Sequence, residues 1–232
     1  MRLRRQTPPV PRTLGEGGLV LFDLDRTLVP GSSLVVLARA LVDAGVVSRA
    51  TLLRGLASNA VFARRGASDA RVERLRTQAL DIVSGVDRGD LAGVVGDVVP
   101  RLASSLYPAG RWLVERHLAA GDFCVLVSAA PQGLVEALVR ATGMHRAVGT
   151  RAEVVEGKYT GNLDGVFCYG PGKVARLEAE LGTSCFVNAT AYADSASDLP
   201  LLHASGRPVA VNPDRRLSSV ARQQGWPVLR LG

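Results

Sequence analysis

The stretch VLFDLDRTLVPGSS, residues 20–33, closes an apolar run on two aspartates, Asp23 and Asp25, with Thr27 two residues further on. The run GLVLFDLD (18–25) is short and almost continuously apolar, as expected of a strand covered on both faces. Asp23 and Asp25 then either carry chemistry or form a polar loop after a strand. The rest of the chain decides between the two.

Beyond Gly31 the periodicity changes. Leu34, Leu37, Ala38 and Leu41 fall at i, i+3, i+4 and i+7, the stripe of an amphipathic helix. The same pattern recurs at Val72, Leu75, Ala79 and Ile82, and again at Leu91, Val94, Val98 and Leu102. From about 32 to 106 the chain is expected to be helical, with no strand. DFCVLVSAA (122–130) reads as the next strand, and Pro131 fits the first turn of a helix running through Leu134, Leu138 and Ala141. AVGTRAEVVEGKYTGNLDG (147–165) combines a short strand with a hairpin that turns at Glu156–Gly157. GPGKVARLEAELG (170–182) predicts a helix with Val174, Leu177 and Leu181 inward and Gly182 past its end. ATAYADS (189–195), RPVAVN (207–212) and WPVLRL (226–231) predict three more strands.

Strands separated by helices specify an α/β fold, a Rossmann-like parallel sheet with helices on both faces. The helical block interrupts that alternation once. The expected organisation is a disordered basic leader (1–16), a core of 17–31 plus 107–232, and an inserted helical cap (32–106).

The 232 residues suffice for a large core, and 47% hydrophobic with 21% charged residues is ordinary for a soluble globular protein. The net charge of +7 raises a nucleic-acid reading. Its arginines, however, are scattered along predicted helices without interleaved aromatics. Four of them sit in the Pro-rich MRLRRQTPPVPR, so an anionic small-molecule substrate suits the charge at least as well. Cys124, Cys168 and Cys185 lack C-x-x-C spacing, which suggests neither a zinc site nor a disulfide framework. The start runs into prolines rather than an apolar signal segment, and no apolar stretch reaches membrane-spanning length. The expectation is a cytoplasmic protein without a membrane partner.

Ligands of an open parallel sheet bind outside the carboxyl ends of its strands. Polar features stand at or just after four such places: Asp23–Leu24–Asp25–Arg26–Thr27, Ser128, Lys173 at a helix start, and Asp194 with Asp198 in YADSASD. Singly, each has a plain explanation. Ser128 could cap the helix near Pro131, Lys173 could be a solvated first-turn lysine, and Asp198 before Leu199–Pro200 makes a good N-cap. Together, these carboxylates, with an ammonium and a hydroxyl at one sheet edge, suit a divalent cation and a phosphoryl group.

This combination resembles the haloacid dehalogenase superfamily of aspartyl-phosphate phosphatases. DLDRT (23–27) matches its first motif, D-x-D-x-T; LVSAAP (126–131) is similar to the second; Lys173 in GPGKVARL matches the third; YADSASDLPLL (192–202) matches the acidic fourth. The helical insertion corresponds to the superfamily's cap of the first type, and the phosphoserine-phosphatase-like subgroup is the most similar. The resemblance implies Mg²⁺ as cofactor and a small-molecule phosphate ester as substrate. It implies Asp23 as nucleophile and Asp25 as general acid and base. Asp23, the carbonyl of Asp25 and Asp194 would hold the metal, and Ser128 and Lys173 the phosphoryl oxygens. Thr27 and Asp198 would support them, Asp198 by orienting Lys173 or a metal-bound water.

Departures from the family pattern bear on specificity rather than on the reaction. Ser32 stands where phosphoserine phosphatases carry a Glu, Ser197 replaces the usual Asn, and Arg26 replaces a commoner small residue. Arg64, Arg65, Arg71, Arg74 and Arg76 in the expected cap would suit a second anionic group on the substrate, the plainer reading being a solvated helix face. A phosphotransferase using the same intermediate fits the same motifs. A basic nucleic-acid-binding protein is the alternative from another class. The substrate and oligomeric state are not encoded in any motif.

Overall fold

The strand GLVLFDLD folds at the centre of the molecule. A computed structural model describes residues 17–50, 80–182, 186 and 188–231. The leader, the arginine-bearing stretch 63–76 and Cys185 lie outside the described residues. In chain order the strands are β1 (Leu19–Asp23), β2 (Phe123–Pro131), β3 (Arg146–Thr150), β4 (Ala152–Val155), β5 (Lys158–Leu163), β6 (Thr190–Ala193), β7 (Arg207–Val211) and β8 (Val228–Leu229). The helices are α1 (Ser33–Asp43), α2 (Arg88–Ser104), α3 (Pro108–Ala119), α4 (Gln132–Thr142), α5 (Pro171–Leu181), α6 (Leu199–Ala204) and α7 (Arg215–Gln224).

Six strands form one sheet in the order β3-β2-β1-β6-β7-β8, with every pairing parallel. Alternate residues of β1 serve opposite faces, as strand geometry requires. Val20 and Phe22 join one apolar core with Cys124, Leu126, Leu134 and Leu138. Leu19 and Leu21 join the other with Val125, Val127, Leu177 and Leu201. Burial on both sides is why the sequence of β1 is continuously apolar. The first core also takes in Leu37 and Leu41 of α1 and Leu91, Val94 and Val98 of α2, the stripes the periodicity picks out. Because β2 and β3 lie to one side of β1 and β6 to the other, the chain reverses direction across the sheet at β1. That is the switch point where α/β sheets open a crevice.

Three local expectations shift. Pro131 ends β2, and α4 starts one residue later at Gln132. Val174 is half-buried rather than fully inward. The last strand spans only Val228–Leu229, because the Leu231 amide bonds the side chain of Asn212, whose backbone (φ 42°) has left the strand geometry a ladder needs. The hairpin turns at Glu156–Gly157 as its sequence indicates. Both residues have positive φ (49° and 83°), as a tight two-residue turn demands. Among the described residues no helix is long and apolar enough to cross a membrane.

Candidate active site

The carboxyl end of β1 delivers Asp23 into the crevice. Register sets its neighbour: Asp23 pairs with Val127 of β2, so Ser128 lies one residue beyond at the same edge. Ser128 is buried, and its Oγ accepts the Ala130 amide (3.2 Å) in the irregular last part of β2.

After Asp23 the chain leaves strand geometry in a tight loop. The amides of Leu28 and Val29 both return to the Leu24 carbonyl, and the Arg26 amide donates to the Val29 carbonyl. This fold-back buries Thr27 completely and lets its hydroxyl donate to Asp23 Oδ2 at 2.7 Å. The Asp25 carboxylate accepts the amide of Ser33 at the start of α1 (2.8 Å). Burial raises its pKa, partly offset by hydrogen bonds from Ser33.

Lys173 sits in the first turn of α5 and is buried, not solvated, at 3% exposure. A cation at a helix N-terminus is electrostatically unfavourable, and its surroundings supply the compensation. Nζ donates to Asp23 Oδ1 and to Asp198 Oδ1, each at 2.5 Å. Burial alone would push Lys173 down; Asp198 and Asp23 outweigh it and hold the ammonium above the usual lysine range. Burial likewise pushes the Asp23 carboxyl up, and Lys173 only partly reverses this.

Asp194 follows β6, and Asp198 closes a single 3₁₀ turn, Ala196–Asp198. Asp198 does stand at the N-cap of α6, but its carboxylate makes no capping bond. It faces Lys173 and accepts from Ser195 Oγ (2.9 Å) instead. Asp214, which caps α7, also bonds the Ala196 amide, while its own amide donates to the Asp194 carbonyl. Sequence reading assigned no role to Ser195, Asn212 or Asp214. The Asn-Pro-Asp after β7 was the available signal of a built turn.

Asp23, Asp194 and Asp198 are all buried, with ligand oxygens within 4.8 Å of one another. The carboxylate of Asp25 is outside this trio. Burial first, then the charge of Asp23, pushes Asp194 up to about 8, although Arg26 pairs with it (Nε to Oδ2, 2.9 Å). Two cations, Lys173 and Arg26, thus face three of the site's four carboxylates. A cluster of hard oxygen donors short of positive charge fits a divalent ion such as Mg²⁺.

The same chain features recur in known proteins. The haloacid dehalogenase-like hydrolase family matches residues 20–203. A phosphoserine phosphatase of Mycobacterium tuberculosis is 34% identical over 226 residues, covering 95% of this chain and 72% of the relative. A histidinol-phosphatase of Neisseria meningitidis is 31% identical, covering 91% of this chain and 97% of the relative. A protein of unknown function from Bordetella pertussis superposes with a TM-score of 0.80 at 30% identity, covering 93% and 99% of the two chains. The chain therefore belongs to the haloacid dehalogenase-like hydrolases, as a phosphatase on their phosphoserine-phosphatase-like branch.

Proposed function

We propose that the protein is a Mg²⁺-dependent phosphomonoesterase that acts on a small metabolite through an aspartyl-phosphate on Asp23. The observation that carries this reading is the Lys173 bridge, which fixes Asp23 and Asp198 on one buried ammonium at the switch point of the sheet. Asp23, held by Thr27 and Lys173, attacks phosphorus. The bond from phosphorus to the ester oxygen breaks, and Asp25 gives its proton to that oxygen. Asp25 then takes a proton from the incoming water, whose oxygen displaces Asp23 and frees inorganic phosphate. Splitting the displacement into two steps is the logic of covalent catalysis. Ser128 and Lys173 hold the phosphoryl oxygens. Asp23, the Asp25 carbonyl and Asp194 would hold the metal, with Asp198 keeping Lys173 in place. When bound, the ion supplies the positive charge that four carboxylates lack and lets Asp23 stay ionised beside a phosphate.

Residues 32–106 serve in this reading as the cap that selects the ester. Ser32 ends the loop beside Asp25 and brings no carboxylate to meet a substrate ammonium. That disfavours phosphoserine and leaves the metabolite open among monoesters.

The test is phosphate release from a panel of phosphomonoesters, phosphoserine and histidinol phosphate included, with Mg²⁺ or with chelator. Release from at least one ester, lost on chelation, is expected. Absence of release from every ester overturns the reading.

A further inference from the structure

Arg26 breaks a local backbone preference. Its backbone is left-handed (φ 62°), a conformation that disfavours any residue with a Cβ and that glycine would adopt freely. Its charge is also placed against a buried acid, although the side chain itself is 60% exposed. Strain retained at a non-glycine residue invites the question of what its side chain contributes. Its guanidinium contact is Asp194, at 2.9 Å.

We infer that Arg26 is the resident counter-ion of Asp194, which a divalent cation must displace, so that metal binding at this site is an exchange and not a simple addition. The inference rests on the proposed function, in which Asp194 is a metal ligand.

The two cations of the site divide the acids between them. Lys173 is buried and serves Asp23 and Asp198. Arg26 serves Asp194 from the solvent side. An ionised buried carboxylate without a partner is expensive, and Arg26 is the cation placed to meet that charge at Asp194. The guanidinium is positively charged and competes with the metal for the ionised carboxylate. Its backbone is pinned on both sides. The Arg26 amide donates to the Val29 carbonyl (2.8 Å), and the Arg26 carbonyl accepts from Asn212 Nδ2 (3.1 Å). The side chain can consequently swing away while the loop that carries Asp25 stays where it is. Lys173 has no such freedom, enclosed as it is between two acids. Of the two cations, Arg26 is the one built to leave.

Calorimetric titration of the substrate-free protein with Mg²⁺ tests this. Arg26→Gln and Arg26→Gly are expected to bind Mg²⁺ about five- to twentyfold more tightly than the wild type, the size of one charge-assisted contact removed from the competitor. Arg26→Lys, which keeps the charge, should stay within about twofold of the wild type. Arg26→Gly also relieves the backbone strain, so its comparison with Arg26→Gln separates conformation from charge. Equal or weaker Mg²⁺ binding by both neutral variants overturns the exchange. Absence of Mg²⁺ binding by the wild type and all three variants would instead overturn the proposed metal site itself.

Discussion

Lys173 and Asp23 lie 150 residues apart in the chain and share a buried contact of 2.5 Å, which Lys173 extends to Asp198. One ammonium therefore does two jobs, neutralising a pair of acids and presenting positive charge at the end of β1. Lys173→Met removes both. Phosphate release is expected to fall roughly 100- to 1000-fold, the usual consequence of deleting one electrostatic partner of a transferred group. Asp23 and Asp198 would be left as uncompensated buried charges, destabilising the fold by about 3–5 kcal/mol at neutral pH. The deficit should shrink at pH 5, where Asp23, pushed up to about 6 by burial, takes up a proton. Urea midpoints at pH 5 and pH 8 check this, and an equal deficit at both refutes it.

The metal-free protein should lose stability as pH rises. Asp23, Asp25 and Asp194 all have folded-state pKa values above the ordinary 3.8, burial being the first cause in each. The folded state therefore binds more protons than the unfolded chain once pH exceeds about 4, and stability falls with further pH increase. For Asp194 the loss continues until about pH 8, where its carboxyl ionises in the folded state. Thermal melts with chelator should show a midpoint that drops between pH 5 and pH 8.5, and Mg²⁺ should flatten the drop. A midpoint that rises with pH in chelator contradicts this assignment of the buried acids.

Much of this site was readable without coordinates because it hangs on strand ends. The continuous apolar run before Asp23 and the one before Ser128 identify two buried strands, and parallel register then brings their ends together. Apolar periodicity likewise marks α1 and α2, since each buries one stripe. The partner of Asp198 was not readable. N-cap and lysine partner both satisfy its sequence context, and only the packing of α5 against the 3₁₀ turn decides for Lys173. The Arg26–Asp194 contact was invisible for a related reason: it depends on a left-handed backbone that no arginine predicts. The short β8 depends on Asn212 leaving the ladder, again a tertiary cause for a local result.

Gly172 is required by a contact rather than by a turn. A Cβ there would stand 1.9 Å from the Phe167 carbonyl oxygen, against backbone that cannot give way cheaply. Gly172→Ala should destabilise the protein by about 1–3 kcal/mol, as overpacking does. It should also lift the start of α5 and with it Lys173, the next residue. The rate per folded molecule is thus expected to fall together with the denaturation midpoint. Full activity in a destabilised variant would show that α5 absorbs the extra methyl without moving its lysine.

Asp23→Asn tests the covalent step most directly. The amide keeps the size of the carboxylate, and its one oxygen can accept from Lys173 or from Thr27, whose hydroxyl now lies 2.7 Å from Oδ2. It removes one negative charge from a site with four acids and two cations, so the fold should hold and the melting midpoint in chelator should stay level or rise. The nucleophile, however, is gone. Acid-quenched wild type mixed with a good ester should carry phosphate on the peptide containing Asp23, and the variant should carry none. Steady-state release by the variant should be at background. Near-normal turnover by Asp23→Asn would remove Asp23 from the reaction and return it to the role of a buried ion-pair partner for Lys173.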